Sequence, residues 1–94
     1  MKKVILKLRA KHFEKANYTD PCNCGISFAA RDQLNATETN IGVEEGRIDD
    51  IWYTYSEYGF DHFSIDARKA KEANHPDVII RTITLKPYHD RRTI

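Results

Sequence analysis

The chain has 94 residues, of which 31% are charged and 40% hydrophobic, and its formal net charge is +1. This length suits one domain with one core, and the composition excludes a disordered or fibrous chain. The nearly balanced charge favours no partner class, and no apolar run approaches the length that is needed to cross a membrane.

The first predicted element is a strand over residues 3–12. Apolar and mostly basic side chains alternate there, with the period of two that is typical of a half-buried strand. The apolar face, which we expect to lie inward, holds Val4, Leu6, Leu8 and Ala10. The opposite face holds Lys3, Ile5, Lys7, Arg9 and Lys11.

A polar connection over residues 13–20 precedes the first predicted helix. Asp20-Pro21 suits an N-cap followed by proline at the first helical position. A start at Asn23 is the alternative, and Gly25 favours it because glycine weakens a first helical turn by about 1 kcal/mol relative to alanine. With either start, the buried stripe at helical spacing consists of Ile26, Ala29, Ala30 and Leu34.

Two alternating runs follow, and a tight reversal joins them. The second strand contains Thr39, Ile41 and Val43. In the reversal Glu44-Glu45-Gly46, the glycine is free to take a positive φ. The third strand spans residues 47–57, which are rich in the β-branched and aromatic residues that favour strands.

The second helix is expected over residues 61–74, with Phe63, Ala67 and Ala70 on its packed side. Pro76 ends it, because the residue before a proline resists helical angles. The last strand spans residues 77–86 and stops at Pro87, which leaves a basic tail over residues 87–94.

The element order β-α-β-β-α-β matches the ferredoxin-like motif. We therefore predict one α+β domain over residues 1–94, in which two helices cover one face of a four-stranded antiparallel sheet. The first and third strands are expected in its centre. The third and last strands carry large apolar or aromatic side chains on both faces, so the uncovered face should display some of them, which is typical of a binding surface.

The first functional hypothesis is a small non-enzymatic adaptor, inhibitor or regulatory module that binds a partner protein through this uncovered face. A homodimer is the expected form, because two-fold dimers are the commonest result when a surface is complementary to itself. The residues predicted to contact the partner are Ile5, Lys7, Arg9, Trp52, Tyr53, Tyr55, Ile79, Arg81 and Ile83.

The second hypothesis is a binding site for single-stranded RNA or DNA. RNA-recognition modules of this fold stack bases on aromatic side chains of the two central strands. The third strand here offers Trp52 or Tyr53, together with Tyr55. The first strand offers Lys7, Arg9 and Lys11 for phosphates. The glycine-aromatic motifs of those modules are absent from both strands.

The third hypothesis is a thiolate metal site. Cys22 and Cys24 lie where heavy-metal-associated domains of this fold hold a Cys-x-x-Cys pair, and thiolates are soft metal ligands. The spacing here is Cys-x-Cys, and no histidine spacing of a zinc site accompanies it. No motif predicts catalysis or a cofactor. Without a secretory signal, we expect a cytoplasmic protein.

Overall fold

The computed structural model describes residues 3–17, 19–42, 44–55 and 60–88 of the chain. These residues form five strands, one 3₁₀ helix and two α-helices. In chain order they are β1 (Val4–Arg9), the 3₁₀ helix (Ala10–Phe13), α1 (Gly25–Leu34), β2 (Thr39–Ile41), β3 (Glu45–Ile48), β4 (Ile51–Thr54), α2 (Phe60–Glu72) and β5 (Ile79–Tyr88). The predicted α+β class is confirmed. No helix among the described residues is long and apolar enough to cross a membrane.

The strands form one curled antiparallel sheet in the order β1-β5-β4-β3-β2. β5 is shared between two partners, because its residues 79–85 pair with β1 and its residues 86–88 pair with β4. β1 and β2 are therefore the outer strands of the sheet.

The four-stranded ferredoxin-like arrangement is not confirmed. β1 lies at an edge of the sheet, whereas the prediction placed it in the centre. The predicted third strand is divided into β3 and β4 by a turn at Asp49 and Asp50. Asp49 has a φ of 53°, and its carboxylate accepts hydrogen bonds from the main-chain N–H groups of Thr37 and Glu38. Aspartate tolerates this left-handed conformation, so the turn interrupts a run whose composition favours a single strand.

Gly46 also differs from the expectation, because it lies buried inside β3 and no glycine among the described residues has a positive φ. A Cβ atom at this position would lie 2.9 Å from Cδ1 of Ile41 and 3.0 Å from the hydroxyl oxygen of Tyr55. Glycine is therefore needed for the close approach of buried side chains and not for a turn. The reversal between β2 and β3 is closed instead by Gly42, whose N–H donates to the main-chain oxygen of Glu45 at 2.8 Å.

Pro87 does not stop the last strand, since β5 continues through it to Tyr88. Residues 81, 83 and 85 direct their main-chain groups toward β1, and Pro87 continues that alternation. The described pairing with β1 ends at Val4 and Leu85, so the missing N–H of Pro87 removes no hydrogen bond from the part of the ladder that the structure describes. The remaining residues of the predicted tail lie outside the described part of the chain.

The core lies between the inner face of the sheet and the two helices. Its fully buried side chains include Leu6, Leu8, Ile26, Ala29, Ala30 and Leu85. The predicted inward face of β1 and the stripe of α1 are confirmed for these residues. Val4 and Leu34 are partly buried, and Ala10 lies in the 3₁₀ helix and not in β1. The first residue of α1 is Gly25 and its N-cap residue is Cys24, so the helix begins after the proline start at Pro21 and closer to the later alternative.

α2 is joined to the sheet by one buried ion pair. Asp66 is fully buried (0% exposed), and its carboxylate accepts hydrogen bonds from Nε of Arg81 at 2.6 Å and from Nη2 at 3.2 Å. A buried carboxylate is costly unless it is paired, so this contact fixes α2 against β5. Phe63, Ala67 and Ala70 pack on the core beside it, as predicted.

Candidate functional site on the sheet

The candidate functional site is the face of the sheet that turns away from the core. Residues that lie opposite each other in an antiparallel pair project to the same face, so the strand register identifies its members. We call this surface the open face. It contains Ile5, Lys7, Arg9, Asn40, Glu45, Arg47, Trp52, Thr54, Ile79, Thr82, Thr84, Lys86 and Tyr88.

Five of the residues predicted to contact a partner lie on the open face: Ile5, Lys7, Arg9, Trp52 and Ile79. Ile5 is 64% exposed, the highest value among the large hydrophobic side chains of the described residues. Trp52 is partly buried, and Lys7 is exposed. The structure brings these five side chains to one surface.

Tyr53 and Tyr55 belong to the core and not to the open face. Both are buried. They alternate with Trp52 along the chain, so a register that exposes the indole buries both phenol rings. The hydroxyl oxygen of Tyr55 lies 2.6 Å from the main-chain oxygen of Gly42 and 2.9 Å from that of Glu45, and burial raises the pKa of this hydroxyl. Tyr55 therefore holds together the reversal between β2 and β3.

Ile79 and Ile83 lie on different sides of the sheet, although their spacing of four residues predicts a common face. Ile83 is 7% exposed in the core, whereas Ile79 is 46% exposed. A shift of register between Leu8 and Arg9 leaves one extra residue in β5, which is a β-bulge. Alternation in the sequence cannot reveal such an insertion.

The two arginines of the predicted contact surface are bound within the protein. Arg81 lies on the inner side of β5, where it pairs with the buried Asp66. Arg9 donates from Nη1 to the main-chain oxygen of Asp77 at 2.8 Å. Neither guanidinium group projects from the centre of the open face.

Sequence reasoning missed Tyr88, which lies directly opposite Trp52 in the β4–β5 ladder. The two side chains form an aromatic pair on neighbouring strands, and the hydroxyl of Tyr88 donates to the carboxylate of Glu45. The available signal was the position of Pro87, because proline is tolerated in a strand where its nitrogen faces no partner. A strand that continues past Pro87 places Tyr88 on the face of Trp52.

Lys7 and Lys86 are the lysines of the open face, and both are exposed. Neither forms an ion pair within the described residues.

No family model, curated protein or solved structure matches this chain. The function of the open face must therefore be inferred from its own side chains.

The exposed edge of β1 is closed by side chains of the same protein. The main-chain N–H of Lys7 donates to Oε1 of Gln33 at 3.0 Å, and the amide nitrogen of Gln33 donates back to the main-chain oxygen of Lys7. The next N–H on this edge, that of Arg9, donates to Nδ1 of His12 at 2.9 Å. These contacts occupy groups that could otherwise pair with a foreign strand.

The opposite edge of the sheet, at β2, is covered by the loop before α1. The main-chain N–H of Ile41 donates to the oxygen of Pro21 at 2.9 Å. The hydroxyl of Thr39 lies 3.5 Å from the main-chain oxygen of Cys22. Part of each outer edge is thus engaged by the protein's own groups.

His12 and Asp32 resemble a catalytic dyad in composition, but their contacts are those of a structural pair. His12 is buried, and its Nδ1 accepts the N–H of Arg9, so Nε2 carries the ring proton and donates to Asp32 at 2.9 Å. This hydrogen bond lowers the pKa of the Asp32 carboxyl, and the nearby ammonium group of Lys11 lowers it further. Both ring nitrogens are engaged, so His12 joins the 3₁₀ helix to α1.

The two cysteines differ in their surroundings. Cys22 is exposed, whereas Cys24 is buried with its Sγ 3.6 Å from the hydroxyl of Ser27. Neither is in a disulfide. Among the described residues, no group of three or more histidine, cysteine, aspartate or glutamate side chains is placed to hold a metal ion.

Proposed function

We propose that this protein is a non-enzymatic binding module that holds single-stranded nucleic acid on its open face. The observation that carries the proposal is the pairing of Trp52 with Tyr88 on neighbouring strands of that face. Aromatic side chains give every base a stacking surface, and each stacked base contributes about 1–3 kcal/mol of binding free energy. Two adjacent rings suit two successive bases.

The lysines of the open face supply the charge that such a ligand requires. Lys86 is two residues from Tyr88 on β5, and Lys7 lies opposite Thr82 further along the same strand. The exposed hydroxyl groups of Thr82 and Thr84 lie between them and can donate to phosphate oxygens. This arrangement suits a sugar-phosphate backbone that runs along β5, from Tyr88 past Lys86 to Thr82 and the neighbouring Lys7 of β1.

The charged side chains near the aromatic pair are engaged within the protein. Arg47 lies beside Trp52 on β3 and forms an ion pair with Glu38 at 3.3 Å. The Glu45 carboxylate accepts the hydroxyl hydrogen of Tyr88. The phosphate contacts are therefore assigned to the lysines, and the aromatic half of the face is assigned to the bases.

Self-association is the second candidate, and the exposure of Ile5 and Ile79 favours it. A two-fold dimer places the same surface on both partners, so a dimer through the open face would bring the Lys7 and Lys86 side chains of two copies together. The burial of Tyr53 and Ile83 also removes apolar area that such an interface would use. These two points place the dimer, and with it a protein adaptor or inhibitor, second.

Fluorescence anisotropy of labelled ten-nucleotide RNA and DNA strands tests the proposal at 50 mM and 200 mM salt. Tyr88→Leu should weaken binding about 5- to 150-fold through the loss of one stacked base. Tyr88→Phe is the matched control, because it keeps the ring and removes only the hydroxyl. Lys86→Ala should reduce the slope of log affinity against log salt by about 0.7 for one lost phosphate contact.

Two results would reject the nucleic-acid proposal. One is the absence of binding at 50 mM salt and 100 μM protein, and the other is equal affinity of the Tyr88→Leu and Tyr88→Phe variants. The second candidate is measured in parallel by sedimentation equilibrium. A dimer that Ile5→Lys converts to a monomer would establish self-association through the open face.

A further inference from the structure

A pocket of about 490 Å³ lies between the 3₁₀ helix and the C-terminal half of α2. Pockets that bind small molecules have volumes of about 300–1,000 Å³. Every residue of the lining belongs to the described part of the chain, and none of them belongs to the open face. The pocket is therefore separate from the surface that is proposed for nucleic acid.

The pocket exists because small side chains follow a large one along α2. Phe63 closes the gap to the 3₁₀ helix, since its ring centroid lies 5.8 Å from that of Phe13. Residues that are three or four positions apart lie on one side of a helix, so Ala67 and Ala70 follow Phe63 on that side. Their methyl groups are too short to fill the same gap, which opens there into the pocket.

The inner wall of the pocket is apolar. Ala10 and Phe13 are each 8% exposed, and Ala67 and Ala70 pack against the core from the other side. A ligand with an apolar body would remove this wall from water, which is favourable roughly in proportion to the apolar area that is buried.

Three hydrogen-bond donors line the pocket where α2 ends: Lys71, Asn74 and His75. The side chains of Lys71 and Asn74 have no partner among the described residues. Nδ1 of His75 accepts the main-chain N–H of Asp77 at 3.1 Å, so Nε2 of the neutral ring carries the proton and can donate. These three side chains are therefore available to a ligand that accepts hydrogen bonds.

Acceptors are fewer at this end of the pocket. The main-chain oxygens of Lys69 and Ala70 already accept the N–H of Ala73. Glu14 is the one carboxylate of the lining, and it belongs to the other wall, directly after the 3₁₀ helix. Lys11 also lines the pocket, but two aspartates bind its ammonium group. The free positive charge beside the three donors is thus that of Lys71.

The two described segments that supply the whole lining, residues 3–17 and 60–88, end away from the pocket. Lys3 and Tyr88 lie at one end of the β1–β5 ladder, and the pocket lies at the other end. The first residue of α2 is about 10 Å along the helix from Ala67, at a rise of 1.5 Å per residue. The N–H of Asn17 donates to the main-chain oxygen of Asn23 at 2.9 Å, which turns the chain toward the loop before α1.

We propose that this pocket binds a small molecule that has an apolar body and one carboxylate group. The apolar body would lie on the inner wall, and the carboxylate would accept hydrogen bonds from the three donors at the end of α2. Hydrogen bonds that involve an ionised group are about twice as strong as neutral ones, so Lys71 sets the preference for an anion. The inference does not depend on what the open face binds.

Two ligands with the same apolar body, phenylbutanoic acid and phenylbutylamine, test the proposal by NMR titration of the isotope-labelled protein. The acid should shift the amide resonances of Ala67, Ala70 and His75 with a dissociation constant of about 1 mM, as expected for a ligand of this size. The amine should bind at least about fivefold more weakly, because it lacks the ion pair with Lys71. Equal or tighter binding of the amine would overturn the proposal.

Variants of α2 show whether the ligand occupies this pocket. Ala70→Leu extends an apolar side chain into the space and should abolish binding of the acid without lowering the free energy of unfolding. Ala73→Leu is the second variant if the first does not fold. Lys71→Ala should weaken binding of the acid about two- to fivefold, the effect of one exposed ion pair. Lys69→Ala removes an exposed lysine of the same helix from outside the lining, so it is the matched control and should bind as the parent protein does.

The proposal is overturned if the acid does not bind at about 10 mM, ten times the expected dissociation constant. It is also overturned if the leucine variants bind the acid as the parent protein does, or if Lys71→Ala and Lys69→Ala have equal affinity. A dimer of the parent protein that Ala70→Leu disrupts would make a second copy the occupant and would equally reject the small molecule. Oligonucleotide affinity of the Ala70→Leu variant reports separately on the open face.

Discussion

The buried pair of Asp66 and Arg81 gives the sharpest prediction about stability. We expect Asp66→Ala to lower the free energy of unfolding by about 3 kcal/mol, the lower end of the range for removal of one partner from a buried pair. The lower end applies because the Arg81 side chain is 26% exposed, so water can solvate part of its charge. The substitution also removes both hydrogen bonds, at 2.6 Å and 3.2 Å.

That loss is large for a chain of this size. A domain of 94 residues has a free energy of unfolding of about 5–14 kcal/mol. A loss of about 3 kcal/mol corresponds to a fall of about 12–24 °C in Tm. Urea unfolding followed by the fluorescence of Trp52, the only tryptophan, measures the change directly.

Two further variants separate the pair from general effects on α2. Glu72→Ala removes an exposed carboxylate from the last residue of the same helix and should change stability by less than about 0.5 kcal/mol. Asp66→Leu combined with Arg81→Met removes both charges and should be less destabilised than Asp66→Ala, because apolar residues can replace a buried pair at little cost. A loss below about 1 kcal/mol for Asp66→Ala would refute the reasoning, as would a double variant that is at least as unstable as Asp66→Ala.

Three other predictions concern stability and the edge of the sheet. Gln33→Ala should speed exchange of the β1 amide that it covers and cost about 0.5–1.5 kcal/mol; unchanged exchange would contradict the described contact. Gly46→Ala should cost about 1–3 kcal/mol in urea unfolding through the clash of its Cβ with the core, whereas a neutral result would show that the core yields. The N–H groups of Glu38 and then Thr37 lower the pKa of Asp49 below 3.8. The stability that this carboxylate contributes is therefore complete above that pH, and it is lost as pH falls through the lower folded-state pKa. The free energy of unfolding of Asp49→Asn, measured by urea unfolding, should therefore decline less between pH 5 and pH 2 than that of the parent protein.

The local elements were largely predictable because each depends on neighbouring residues. The alternation of β1 placed Leu6 and Leu8 inward and Ile5 outward, and the spacing of the apolar residues in α1 identified its buried stripe. The strand order was not predictable in the same way. It depends on which strands pair over long distances in the sequence, and the last strand is apolar enough on both faces to occupy more than one position.

The candidate site was harder to predict for the same reason. The period of two separates Trp52 from Tyr53, but both side chains are aromatic, so the sequence does not indicate which one faces the core. The bulge in β5 then reverses the expected relation of Ile79 to Ile83. Tyr88 was missed because proline was treated as the end of a strand, although only its missing N–H limits it.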